Sequence, residues 1–352
     1  MKAAIYYGPG NVQIENREIP KAGDDELVVK IDYCGICGSD IEAFHFHTGN
    51  PSHILGHENV GTVHEIGKNV KGFEVGDRLL CGPPSYCECG CPACRSGRPN
   101  ICANGYPNTA GIGGPDGGYE EYMRIKDPAH KILIKIPDNV DSKDAVLFDV
   151  VCVALHGFRR SNFRFGDTVA VSGAGPVGLS AIQIAKAAGA RRVLAIEQNP
   201  AKEEILKRYG ADACIFTSEC DDLHAAVREA LGNDQGADVT FECAGAKASL
   251  LNCVNDVAKP GSQVILLGCV SDPVPELQFM QLQPREIDLI DLISSFVYTE
   301  EEIEMYLQLL NAGKIEFPGM VTDIIGLDDV VEKGLDRKDR SGMIKILLRP
   351  GI

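Results

Sequence analysis

A chain of 352 residues is too long for one ordinary hydrophobic core, so two domains are expected. Apolar residues make up 44% and charged ones 24%, ordinary soluble globular usage, and no apolar run approaches the ~20 residues of a membrane helix. The net charge of −16 argues against nucleic acid as a partner, because its phosphates repel such a surface.

The opening stretch, MKAAIYYGPGNVQIENREIP, has neither the apolar core nor the cleavage site of a secretory signal, which points to the cytoplasm. The 14 cysteines then read as thiols in a reducing compartment and not as a disulfide framework. Up to about residue 148 the chain is rich in glycine, proline and short β-prone runs such as ELVVKIDY and NVGTVHEIG. Turn signals recur roughly every ten residues, the texture of a β-rich, barrel-like domain.

Within that domain YCGICGSDIE places Cys34 and Cys37 three positions apart, with Ser39, Asp40 and Glu42 beside them. LGHENVGTV adds His57 and Glu58, 20 residues after Cys37. Thiol, imidazole and carboxylate together suit a mixed zinc shell. Cys34 ends an apolar strand and reads as buried; Cys37 sits in a glycine-flanked loop, where a ligand can turn toward an ion. A second cluster, CECGCPACRSGRPNIC, supplies Cys91, Cys94 and Cys102 at zinc-like spacing. Its fourth member is Cys87 or Cys89, and Cys87 is preferred because sulfurs one residue apart are hard to bring onto one tetrahedral ion. Four thiolates leave no open position, so this site reads as structural.

From Asp167 the texture changes to alternating apolar strands and amphipathic helices, the pattern of a parallel sheet covered on both faces. VAVSGAGPVGLSAIQIAKAAGA carries Gly173, Gly175 and Gly178 as GxGxxG between a β-branched strand and a helix, with Pro176 and Val177 completing the turn. A second strand ends in Glu197, 19 residues after Gly178. That context predicts a dinucleotide site, with the pyrophosphate at the helix N-terminus and Glu197 on the adenosine ribose. A carboxylate there repels a 2′-phosphate and favours NAD(H) over NADP(H), although Lys202, five residues on, can reach a phosphate. Cys214, Cys220, Cys243, Cys253 and Cys269 read as buried small hydrophobes.

CGICGSD, GHE, the cysteine lobe, GAGPVGLSAIQIAKAAGA and ECAG, in this order, give the whole chain a resemblance to the zinc-dependent medium-chain alcohol dehydrogenases, above all their sorbitol (polyol) and threonine branch. The resemblance implies an α/β protein. A GroES-like catalytic domain over 1–150 would be followed by a Rossmann coenzyme domain over 151–288, and 289–352 would return to the first. It implies a homodimer or homotetramer with two Zn²⁺ per chain, one catalytic and one structural. Cys37, His57 and Glu58 match the catalytic ligands, and Asp149 in AVLFDVVCVALHG best matches the further acidic position, with Cys152 a poorer candidate. Three anionic ligands would leave a net negative shell, so one carboxylate is expected to exchange for water or substrate. Ser39 matches the residue that takes the substrate's hydroxyl proton. Glu42 stands where the family's next relay member is usually histidine, and His45 or His47 would need a shift of register.

The implied reaction interconverts a secondary alcohol and its ketone by hydride transfer to the nicotinamide. Polyols, diols and polyol phosphates lead as substrates; Arg159 and Arg160 would suit a phosphate but read better as solvated surface residues. An amino alcohol such as threonine is the alternative. A non-enzymatic zinc- and NAD-binding protein would need only the cysteine lobe, which leaves Cys37, Ser39, His57 and Glu58 unexplained.

Overall fold

A computed structural model of the chain describes residues 1–46, 52–87, 89–112, 114–292 and 298–352. Two compact units emerge, one formed by Met1–Asp149 with Tyr298–Ile352 and the other by Val150–Val297. Unit one contributes β1 (Lys2–Gly8), β2 (Asn11–Asn16), β3 (Glu26–Gly35), β4 (His53–Ile54), β5 (Glu58–Ile66), β6 (Arg78–Ser85), β7 (Tyr122–Lys126) and β8 (Lys131–Lys135). Unit two supplies β9 (Thr168–Ser172), β10 (Arg192–Glu197), β11 (Ala213–Phe216), β12 (Ala237–Glu242), β13 (Ala258–Leu266) and β14 (Asp288–Asp291). The chain then returns to unit one with β15 (Val321–Ile325) and β16 (Lys345–Leu348).

In unit one, β1 lies between β2 and β4, while β15-β16-β3-β5-β6-β8 form a second sheet to which β7 adds through β3. β3 is the hub. Its Leu27, Val28, Val29 and Ile31 are buried, and the β-branched valines and isoleucine fill a pleated surface well. Its last residues pair on both sides: Gly35 with Glu58 of β5 and Leu347 of β16, and Cys34 with Asn59 and Leu348. That register gathers the loop after β3, the start of β5 and the start of β16 at one end of the sheet. The core joins Ile5, Leu27, Phe44 and Leu79 from the first segment to Leu327, Leu335, Ile346 and Leu348 from the last.

Unit two is a parallel sheet in the order β11-β10-β9-β12-β13-β14. All five residues of β9 are buried, as expected of a strand covered on both faces. Strand order reverses at β9, the position where such sheets leave a ligand crevice beyond the strand ends. Apolar clusters form around Leu194, Val227 and Leu231 and around Leu250, Val264 and Leu266. The cysteine expectation needs correction here. Cys253 is buried, Cys214, Cys220 and Cys243 are intermediate, and Cys269 is exposed because the chain has left β13 for a loop.

Candidate metal centre and coenzyme site

Cys37, His57, Glu58 and Asp149 each bring one ligand atom into a group in which all lie within 4.8 Å of one another. Cys37 precedes the helix Gly38–Phe46, His57 and Glu58 open β5, and Asp149 lies in the first turn of the helix Phe148–Arg160. His57, Glu58 and Asp149 are buried and Cys37 is partly exposed. Cys152, fully buried, and Cys34 stay out of the group. Burial, reinforced by the charges of Asp40 and Glu58, holds the Cys34 thiol well above its usual range, which makes it a poor thiolate ligand.

Asp40 organises the cluster. It is 1% exposed, accepts the Cys37 amide at 2.9 Å and the Tyr119 hydroxyl at 2.9 Å, and faces His57 Nδ1 at 3.5 Å. A carboxylate orienting one imidazole nitrogen is the arrangement in which the other serves a metal. Burial opposes the charged imidazole, but Asp40 outweighs it and raises the His57 pKa well above the ordinary value.

Lys345 answers the charge problem posed by three anionic donors. Its side chain is 3% exposed, and Nζ lies 2.6 Å from Glu58 Oε1, 2.5 Å from Oε2 and 3.1 Å from the Ile36 carbonyl. Burial lowers the Lys345 pKa, yet the charges of Glu58 and Cys37 leave it raised overall. Burial likewise lifts Glu58 to about 7 against the pull of Lys345, with Asp149 adding to the rise. Gly35 makes room for the pair, since a Cβ there would lie 1.8 Å from Glu58 Oε2. Asp149 Oδ1 in turn accepts the hydroxyl of Tyr298, which is fully buried.

Ser39 is half-buried in the first turn of the helix Gly38–Phe46, two residues past Cys37. Glu42 is exposed further along that helix, and His45 faces Asp336 at 3.8 Å. His47 lies outside the described residues. Arg159 and Arg160 are exposed.

The other cluster is all sulfur. Cys87, Cys91, Cys94 and Cys102 bring their Sγ atoms within 4.8 Å of one another. Cys91 caps the short helix Pro92–Arg95, which carries Cys94, and Cys102 follows the turn Pro99–Ile101. The Cys91 amide donates to Cys87 Sγ at 3.4 Å and lowers that thiol to about 6, favouring thiolate. Cys89 is exposed, its Sγ 3.2 Å from that of Cys87. Four converging thiols fit a closed tetrahedral zinc site.

In unit two the glycine-rich turn follows β9. Gly173 has φ +104°, and a Cβ there would meet the Ala244 amide nitrogen at 2.8 Å. Gly178 packs so closely that a Cβ would lie 1.9 Å from the Gly173 carbonyl oxygen. A Cβ on Gly175 would meet nothing within 4 Å, so the backbone there is open to a close ligand. Gly175 caps the helix Pro176–Ala187, in which Pro176 occupies the first turn, where a missing N–H costs no hydrogen bond, followed by Val177. Glu197 ends β10 and accepts the amides of Ala174 at 2.7 Å, Gln198 at 2.9 Å and Asn199 at 3.1 Å. Burial raises its pKa, but these amides and Lys202, at 3.7 Å, bring it below the usual range. It is a standing anion at the edge of the turn.

Residues 23–138 match the family described as alcohol dehydrogenase GroES-like domain, and residues 176–312 the one described as zinc-binding dehydrogenase. The sorbitol dehydrogenase of Bacillus subtilis is 31% identical over 99% of this chain and 97% of its own length. The (R,R)-butanediol dehydrogenase of the same organism is 30% identical over 99% of this chain and its own full length. Among solved structures, a protein from Sinorhizobium meliloti 1021 described as a zinc-binding dehydrogenase and bound to NADP superposes with a TM-score of 0.88 at 30% identity, covering 99% of both chains. The chain belongs to the zinc-dependent medium-chain alcohol dehydrogenases.

As a member of that family it is an oxidoreductase acting on alcohols, with a GroES-like unit and a Rossmann-type parallel sheet. Three residues of this alcohol dehydrogenase escaped sequence reasoning as parts of its centre. Asp40 had a faint local signal, a carboxylate three residues past Cys37 in a first helical turn. Lys345 and Tyr298 had none, because their partners lie 287 and 149 residues away.

Proposed function

We propose that this protein is a zinc-dependent, NAD(H)-linked dehydrogenase interconverting a secondary alcohol of the polyol or diol class and its ketone. The observation that carries the reading is the convergence of Cys37, His57, Glu58 and Asp149, a mixed donor set unlike the closed thiolate lobe. Zinc held there supplies Lewis acidity toward the substrate's hydroxyl oxygen. Ser39, beside Cys37, takes the hydroxyl proton, and exposed Glu42 hands it to solvent. Asp40 keeps the His57 ring in register, and Lys345 balances the charge of Glu58.

The turn Gly173–Gly178 receives the pyrophosphate on the amides of the Pro176–Ala187 helix. Glu197 binds the adenosine ribose hydroxyls and disfavours a 2′-phosphate, with Lys202 tethered to it and to the Ala174 carbonyl, 3.3 Å away. NAD(H) is therefore the proposed coenzyme, in contrast to the neighbour bound to NADP. The second zinc belongs to Cys87, Cys91, Cys94 and Cys102. Sorbitol and butanediol relatives support the polyol and diol class over an amino alcohol such as threonine. The cytoplasm is the proposed location, supported by 14 free cysteines, and a homodimer or homotetramer the proposed assembly. No described helix is long and apolar enough to cross a membrane.

The test is NAD⁺ reduction against polyols, vicinal diols, polyol phosphates and L-threonine, with NADP⁺ in parallel and a chelator control. Chelator-sensitive turnover of one polyol or diol class with NAD⁺ is expected. Turnover confined to threonine, or preference for NADP⁺, would overturn the corresponding assignment.

A further inference from the structure

The Asp149 carboxylate is not left to find its own orientation. Its Oδ1 accepts the hydroxyl of Tyr298, a residue with no solvent exposure, so water cannot substitute for that donor. Tyr298 is itself fixed from two directions. Its ring meets Phe148, the neighbour of Asp149, edge-on at a centroid distance of 6.2 Å and an interplanar angle of 83°. The next residue, Thr299, caps the helix Glu300–Asn311 through a reciprocal capping box with Glu302, whose carboxylate accepts the Thr299 amide at 2.7 Å. One further bond ties that helix to the segment leading to Asp149: Tyr306 donates to the Asp144 carbonyl at 2.5 Å. Two buried phenols thus hold Asp149 itself and the chain five residues before it.

A carboxylate has two oxygens, and an ion approaching it can take one or both. With one lone pair of Oδ1 engaged by a phenol, Oδ1 is the poorer donor of the two and a metal is favoured on Oδ2. The hydroxyl also withdraws negative charge from Asp149, a neutral counterpart of what the Lys345 ammonium does for Glu58. The two acidic ligands are therefore anchored differently, one by a cation and one by a neutral donor.

We propose that Tyr298 is a positioning residue that restricts Asp149 to single-oxygen ligation, which holds the protein's donors to four and leaves the fifth position of an expanded shell to the substrate's hydroxyl oxygen. This rests on the reading that Asp149 is a ligand of the catalytic metal. Second-layer donors of this kind typically change metal affinity or activity by about 10- to 100-fold when removed.

The experiment compares the full-length protein with its Tyr298→Phe variant after replacement of the Cys37–Asp149 centre's metal by Co²⁺, whose visible absorption reports coordination number. Expected for the variant are unchanged coenzyme affinity and metal content, a weaker visible band from a more highly coordinated ion, and a kcat lower by about tenfold or more with KM little changed. The pH profile of kcat should also shift. A band and pH profile identical to those of the parent would overturn the proposal and leave Tyr298 a packing residue. Binding of only one metal ion per parent chain, or an Asp149→Ala variant with the parent's band, would instead overturn the reading of the centre on which the proposal rests. Should Tyr298→Phe not fold, 3-fluorotyrosine at position 298 keeps the packing and strengthens the donor. It should move the band in the opposite direction, and an unmoved band would count against the proposal.

Discussion

Lys345 shows what a single side chain can do to the electrostatics of a site. Thiolate, two carboxylates and a divalent ion held among them would sum to one negative charge, which the buried Lys345 ammonium would cancel. Removing one partner of a buried ion pair leaves a charge without compensation, at a cost of about 3–5 kcal/mol. Lys345→Met should lower unfolding stability by that amount in the zinc-free protein, and added zinc should restore part of it. Urea titrations with and without zinc measure this, and an unchanged midpoint would contradict it. Glu120 is the opposite case. It is 4% exposed, and no described residue hydrogen-bonds its carboxyl; burial, aided by Asp116, pushes its pKa to about 9. The unfolded chain loses this proton near pH 4.5 and the folded one near 9, so Glu120 increasingly disfavours folding as pH rises between those values. Glu120→Gln should therefore stabilise by up to about 4 kcal/mol at pH 7.5 and by almost nothing at pH 4, readable from denaturation midpoints at the two pH values. Neither role was legible in sequence. Lys345 sits in MIKILLRPGI, an unremarkable strand-like tail, and Glu120 in GGYEEYM looks no different from Glu121 beside it.

At the scale of elements, legibility follows how local the determinant is. The glycine-rich turn after β9 was readable in its backbone geometry because its constraints are short-range: Gly173 supplies a positive φ and Gly178 a close backbone contact within six positions. The sulfur lobe was readable in type, but its fourth member was ambiguous between residues two positions apart. Only the folded backbone brings Cys87 into the group and leaves Cys89 exposed beside it. That lobe has little else to hold it. Its described apolar packing amounts to the cysteines with Tyr86 and Ala93, and its regular structure to the four residues Pro92–Arg95 and the turn Pro99–Ile101. A metal ion held by these thiols would stand in for a core. Stripping the zinc should open the segment 87–102 before anything else, exposing the Arg95–Ser96 bond to trypsin while the parallel sheet of unit two stays protected. Limited proteolysis with and without chelator, followed by mass spectrometry, gives the answer; a cleavage pattern indifferent to chelation would mean that the lobe holds itself together.

At the scale of the whole molecule, the two units are built on different logics of chain connectivity. Val150–Val297 is one continuous segment with its own parallel sheet and its own apolar clusters. Unit one is discontinuous. Its N-terminal segment lacks the pairing of β16 with β3 and the buried Leu327, Val330, Leu335, Ile346 and Leu348 that complete its core. It also lacks Lys345, so Glu58 would be buried without its cation. Burying each such aliphatic side chain is worth about 1.5–3 kcal/mol, so five of them together match the roughly 5–15 kcal/mol by which domains are usually stable. Expressed alone, residues 150–297 should therefore fold cooperatively and bind ADP-ribose, whereas residues 1–149 alone should not. Supplying 298–352 in the same chain, joined to 149 by a flexible linker, should restore a cooperative transition and metal binding. Calorimetry of the three polypeptides decides the matter. A cooperative transition in 1–149 alone would show that β15 and β16 ornament a core already complete, and that the neutralisation of Glu58 by Lys345 contributes little to folding.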